Sequence, residues 1–207
     1  MTVNGLFSQG IKGIVAVALL LVLTGVKNPS VAPAEIKLSF APESKLKLHG
    51  DSSLRKFSAS TSVLELRAVG KVVPNAVLQF TPTEVSMRLE VKDLKSGDGT
   101  LDDHMYEALK AEKFKAIEMK LDKFELSDRN SATASGALTV AGVTRPIELK
   151  LNISTEGEKV IIRGTKILLM TDFGIDPPKM MLGAIKTKNE IEINFDVICM
   201  TDTKQKD

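Results

Sequence analysis

The sequence predicts an all-β domain: an antiparallel sheet of eight or nine strands, closed on itself or folded into a sandwich, with one short helix at about 100–111. Three observations predict it. Apolar and polar residues alternate with period two along most of the chain. Turn signals separate the alternating runs. A single stretch carries helical spacing instead, and one short helix cannot cover both faces of so large a sheet, so the sheet must hide its own edges.

In chain order, the first signal is not a strand. Ile14 to Val26 is an apolar run broken only by Thr24 and Gly25, between Lys12 and Lys27. A membrane-spanning helix needs about 20 apolar residues, whereas a secretory signal needs roughly 7–15. Ala32-Pro33-Ala34 has the small-x-small form of a cleavage site. The expectation is a signal peptide over 1–34, with an uncleaved anchor as the alternative, then a domain over 35–200 and a polar tail over 201–207. No Cys stands near the junction, which excludes a lipoprotein anchor. Cys199 is the only cysteine, so no intrachain disulfide or CxxC pair is possible. An exported chain without disulfides fits a bacterial periplasm best, with secretion as the alternative.

The strands follow. Leu46 and Leu48 alternate with lysines, and Ser58 to Val69 is extended with ambiguous facing. Val85, Met87, Leu89 and Val91 alternate with Ser86, Arg88 and Glu90. Ile117, Met119 and Leu121, then Ala134, Gly136, Leu138 and Val140, repeat the pattern. Ile147 to Ile153 follows the same alternation, and Ile191 to Cys199 is the longest run. Successive side chains of a strand point to opposite faces, so each run has one dry face and one wet face. Lys159 to Met170 is apolar on both parities, which predicts a face switch or bulge at Gly164. Gly97-Asp98-Gly99, Ser127 to Asn130 and Thr155-Glu156-Gly157 mark turns. Thr100 is the predicted N-cap, with Leu101, Met105, Ala108 and Leu109 on one helical face.

Composition excludes several functions. The chain has 28 Lys and Arg against 26 Asp and Glu. Two of the 28, Lys12 and Lys27, fall in the first 34 residues, so 26 face 26 over the remaining 173 positions. A polyanion binder needs a positive surplus, which argues against nucleic acid. Aromatics are 4% and Trp is absent, leaving little for a base-stacking platform. The 43% of apolar residues can build one real core. An eight-stranded barrel is either just filled by its side chains or holds one small ligand. Eight methionines suit either role, as polarizable lining or as ordinary core.

Four segments resemble the YceI-like family. Gly136 to Pro146, G-A-L-T-V-A-G-V-T-R-P, is similar to its G-x-L-T-(I/V)-x-G-(V/K)-T-(R/K)-P signature. Thr100 to Phe114 resembles its D-x-H-(M/L)-x-x-A-L helix. Thr171 to Pro177, with Met180, Met181 and Gly183, resembles its late turn, and Gly50 to Phe57 resembles the G-x-S-x-L opening of one branch. The D-x-x-H-S opening of the better-known branch is missing. The resemblance spans roughly 36–200 in order. It implies an extended eight-stranded antiparallel lipocalin-like barrel, exported, whose tunnel holds a long apolar chain of polyisoprenoid or fatty-acyl type, without a cofactor. The expected lining is Phe57, Phe80, Met87, Leu89, Met105, Ile117, Met119, Leu138, Phe173, Met180, Met181 and Phe195. Met180 to Gly183 is expected either to cap the mouth or to touch a lipid surface, and the chain to be a monomer or homodimer.

Other constellations carry less chemistry. Asp98, Asp102, Asp103, His104 and Glu107 lack the alternating order of a calcium loop and the ligand set of zinc, so capping is their expected role. His49 and Asp51 share a strand face that Ser52 does not, a poor triad. No enzyme is expected. The alternatives are a filled-core interaction module without a ligand and an enzyme on isoprenoid substrates. Arg145 is expected to serve a turn, with pairing to a phosphate head group as its alternative, and Cys199 to be a small buried hydrophobe.

Overall fold

The computed structural model describes residues 38–72, 80–157 and 159–201. The proposed signal peptide, its cleavage site and all but Thr201 of the C-terminal tail lie outside the described residues. The strands are β1 (Leu38–Phe40), β2 (Lys45–Ser52), β3 (Lys56–Thr61), β4 (Glu65–Val72), β5 (Phe80–Glu90), β6 (Ala116–Leu126), β7 (Ser131–Val140), β8 (Val143–Glu156), β9 (Lys159–Leu169), β10 (Lys179–Met180) and β11 (Ile185–Thr201). Among the described residues one α-helix, α1 (Gly99–Ala108), lies between β5 and β6.

Nine strands form one continuous antiparallel path, β3-β2-β11-β9-β8-β7-β6-β5-β4, with the short β1 and β10 added along β11. The two ends of this path, β3 and β4, are consecutive in sequence and separated by only residues 62–64. Four Cα–Cα steps of 3.8 Å span at most about 15 Å, so the sheet curls nearly onto itself. No β3–β4 ladder completes the circle among the described residues. The seam is held otherwise. Ser60 N donates to Lys95 O at 2.8 Å and Lys95 N returns the bond to Ser60 O at 3.0 Å, and β1 lies against β4. The barrel is therefore a curled sheet of nine strands rather than a closed one of eight.

Curvature comes from register shifts, at Val69/Gly70, Leu121/Lys123 and Thr187/Ile191. Each adds a local bend and twist. The shift in β6 leaves Asp122 unpaired and moves the inward parity from Ile117, Met119 and Leu121 to Phe124 and Leu126. Opposite it, a Cβ on Gly136 would stand 2.0 Å from the Lys120 carbonyl oxygen. Only glycine allows that approach of two backbones. The predicted bulge at Gly164 does not occur. The β9–β11 ladder runs unbroken through Phe195↔Gly164, and Val160, Ile162, Lys166 and Leu168 keep one inward parity. The second apolar parity arises because Ile161 is buried on the other face while Ile167 is exposed there.

β7 and β8 turn through Ala141 and Gly142, with φ of 49° and 78°, the pattern of a type I′ hairpin. The Phe114 ring fills the space where a Gly142 side chain would be. The helix begins two residues earlier than the Thr100 cap predicts. Asp98 is the N-cap, its carboxylate accepting from Thr100 N at 3.0 Å and Leu101 N at 3.2 Å. Asp102 is buried and accepts from Ser96 N and Ser96 Oγ at 2.8 and 2.7 Å. Burial would raise its pKa, but these two bonds and the charge of Lys95 together outweigh the burial and hold the carboxyl below its usual value.

Candidate functional site: an apolar lumen with two polar ends

The dry faces of the strands pack together in one buried cluster around Leu121, Leu138, Ile147, Leu149 and Phe173, and elsewhere they stand apart. They surround a cavity of about 1310 Å³, above the 300–1,000 Å³ usual for small-molecule pockets. One end is bordered by α1, through Leu101, His104 and Met105. The other is bordered by the β6–β7 and β8–β9 hairpins, through Asp128, Arg129 and Gly157. Along β6 the wall runs from Ile117 to Leu126, a length of about 30 Å at 3.3 Å per residue. The lumen is open and long.

Nine of the twelve expected lining residues border it: Phe57, Met87, Leu89, Met105, Ile117, Met119, Leu138, Phe173 and Phe195. Register aligns three in one row, since Met87 faces Met119 on β6 and Met119 faces Leu138 on β7. Phe57 and Phe195 lie over the glycines opposite them. A Cβ on Gly50 or Gly164 would stand 2.2 or 2.3 Å from those rings, so each ring packs against the backbone of the glycine opposite it. Phe80 opens β5 opposite Val72, and Met180 pairs with Ile185; both side chains lie outside the described residues.

Met181 departs from the expectation. It does not border the lumen; it is 74% exposed, and Leu182 beside it is 110% exposed. Both hold left-handed backbone, φ 50° and 55°, which costs roughly 1–2 kcal/mol for a residue with a Cβ. That backbone turns both side chains outward, so the capping role does not arise.

The wall also uses residues that sequence reasoning passed over. Leu46 and Leu48 on β2, Leu149 and Leu151 on β8, and Ile193 on β11 all line it. Their alternation was visible, and aromatic or Met content was the wrong criterion for choosing among them. Phe124 was hidden by the parity change at Asp122.

Charged groups reach the lumen at its ends and at Lys166. At the helix end Arg55 pairs with Asp98 at 3.5 Å. At the hairpin end Asp128 accepts from Ser131 Oγ at 2.6 Å and Asn130 N at 2.7 Å, bonds that lower its pKa. The triad-like group is not assembled. Ser52 Oγ donates to Arg55 O at 2.8 Å, and Asp51 accepts from Lys188 Nζ at 2.7 Å. Arg145 serves a turn: its Nε donates to Asp172 O at 2.7 Å, holding the turn that carries Phe173.

Cys199 borders the lumen and is 2% exposed. Burial pushes its thiol up to about 11. Two units above an ordinary thiol means roughly 100-fold less thiolate at neutral pH. Alkylation of the native protein should therefore be at least that much slower than in denaturant, with the native rate climbing as pH approaches 11. Equal labelling rates in both conditions would contradict the buried placement.

The fold and the cavity define a class: a curled antiparallel sheet wrapped on an apolar lumen, with polar groups confined mainly to its ends. The chain belongs to the YceI-like family, whose domain model matches residues 51–199. BcnA of Burkholderia cenocepacia is similar in structure, with a TM-score of 0.65 at 13% identity over 77% of this chain and 99% of that one. A YCEI protein of Campylobacter jejuni gives 0.54 at 17% identity over 86% and 92%. A polyisoprenoid binding domain from Saccharophagus degradans, implicated in plant cell wall breakdown, gives 0.59 at 10% identity over 81% and 99%. No curated protein sequence matches the chain. Such low identities establish a shared fold.

Three of the family-like segments meet at the helix end of the barrel. Phe114 covers Gly142, Arg145 holds Asp172 O, and Val143 lies 3.7 Å from the position of a Cβ on Gly174. The signature thus encodes the joint between the helix, the β7–β8 hairpin and the Phe173 turn.

Proposed function

We propose that this protein is an exported carrier that holds one long apolar chain, of polyisoprenoid or fatty-acyl type, in its lumen. The observation that carries the reading is the open cavity of about 1310 Å³ walled by aliphatic, Met and Phe side chains. Each CH₂ of a guest buried there contributes about 0.8 kcal/mol, so length converts directly into affinity. The structural likeness to a polyisoprenoid binding domain agrees with a chain-shaped guest. The apolar run before Ala32-Pro33-Ala34 supports export.

The role is binding rather than catalysis. His104 reaches the lumen, yet its neighbour Asp98 is committed to the α1 cap and to Arg55. His49 lies on the opposite parity from Leu48, which lines the wall.

Protein purified from its native host without detergent should release a reproducible long-chain species into organic solvent, identified by mass spectrometry. A clean blank from repeated preparations, together with no uptake of an added long-chain lipid, would overturn the carrier.

A further inference from the structure

We infer that the turn Met181–Gly183 and the adjoining turn at Leu54 form a docking surface for an anionic lipid bilayer, placed at the helix-end mouth of the lumen. The inference rests on the carrier reading for its purpose, because a guest of this kind resides in membranes; the contact itself is argued from the surface.

Met181 and Leu182 are the most exposed large apolar residues among those described, and Leu54 follows at 68%. The two turns are bound into one rim. Ser53 N donates to Lys186 O at 2.9 Å, and Lys186 N donates to Ser53 Oγ at 3.1 Å. Leu54, Pro178 and Ile185 line the lumen, so the exposed apolar surface runs on into the cavity wall. Such a surface at the edge of a cavity marks a place of contact.

Charge selects the partner. From 177 to 188 the sequence holds Lys179, Lys186 and Lys188 and no acid; from 52 to 57 it holds Arg55 and Lys56 and no acid. Over residues 35–207 the charges balance, so this rim is a local concentration of positive charge. Lys188 is engaged by Asp51 and Arg55 by Asp98, and among the described residues neither Lys179 nor Lys186 is in an ion pair. Exposed aliphatic tips ringed by lysines match a bilayer interface, where acyl chains receive the tips and anionic head groups receive the lysines. A guest crossing there passes from bilayer to lumen along a continuous apolar path.

The test is flotation of the full mature protein with phosphatidylcholine vesicles, with and without phosphatidylglycerol. The parent should bind the anionic vesicles and lose binding as salt rises. The double variant Met181→Asp, Leu182→Asp should bind at least roughly tenfold more weakly. Aspartate tolerates left-handed backbone better than Met or Leu, so the variant should keep the parent's thermal midpoint. Lys179→Gln and Lys186→Gln should each cost roughly fivefold on anionic vesicles only. No flotation of the parent, or equal flotation of the aspartate variant, overturns the proposal. A parent dimer that the aspartate variant dissolves, without vesicle binding, overturns it in favour of self-association. Solvent extracts from the same preparations report separately on the lumen.

Discussion

Replacing Phe173 by alanine is expected to cost about 3–5 kcal/mol of folding stability, the range for removing a buried aromatic ring. The ring is 5% exposed and is packed in one cluster with Leu138, Val140, Ala141, Ile147 and Ile175. It sits on a turn that Arg145 holds from β8. Its loss leaves the helix end of the barrel without its central contact, and the hairpin at Ala141-Gly142 cannot move in to replace it. Urea unfolding measures the effect as a lower midpoint with an unchanged slope. A loss below about 1 kcal/mol would mean that the ring is not part of the core.

Filling the lumen should do the reverse: little harm to folding and large harm to binding. Ala68 on β4 is 2% exposed, faces Val85 and borders the cavity. In Ala68→Trp the indole reaches from a closely packed position into the lumen, at a cost no larger than the roughly 1–3 kcal/mol usual for added volume. It should displace three or four CH₂ groups of a guest, about 3 kcal/mol at 0.8 per CH₂, or roughly 100-fold in affinity. The readout is the amount of chain recovered per mole of protein, beside a thermal midpoint within a few degrees of the parent. Full recovery from a well-folded variant would place the guest outside the lumen.

These two substitutions mark the division between what each segment encodes and what the assembly encodes. Alternation read from β5, β8 and β11 placed Met87, Leu149 and Phe195 on dry faces before any coordinate, because the direction of successive side chains is a local property of extended backbone. The helix was legible for the same reason, from Leu101, Met105 and Ala108. Its start was misread because an aspartate two residues before Thr100 reaches the first free amides just as well. Phe124 was missed because a bulge at Asp122 reverses the parity, and a bulge is fixed by the partner strand rather than by its own. Met181 was misplaced because an apolar side chain in left-handed backbone points away from the sheet that its hydrophobicity suggests.

By itself the sequence determined the class of fold, the dry side of most strands, the turns at Ser127 to Asn130 and Thr155 to Gly157 and, through four ordered segments, the family. Tertiary structure alone decided that the dry sides enclose space beyond the cluster they form around Phe173. Facing residues meet or stay apart according to how sharply the sheet bends, and that bend is set by register between strands from opposite ends of the described chain, as where Leu38 of β1 pairs with Thr201 of β11. No single segment carries that information, since it exists only once both partners are in place.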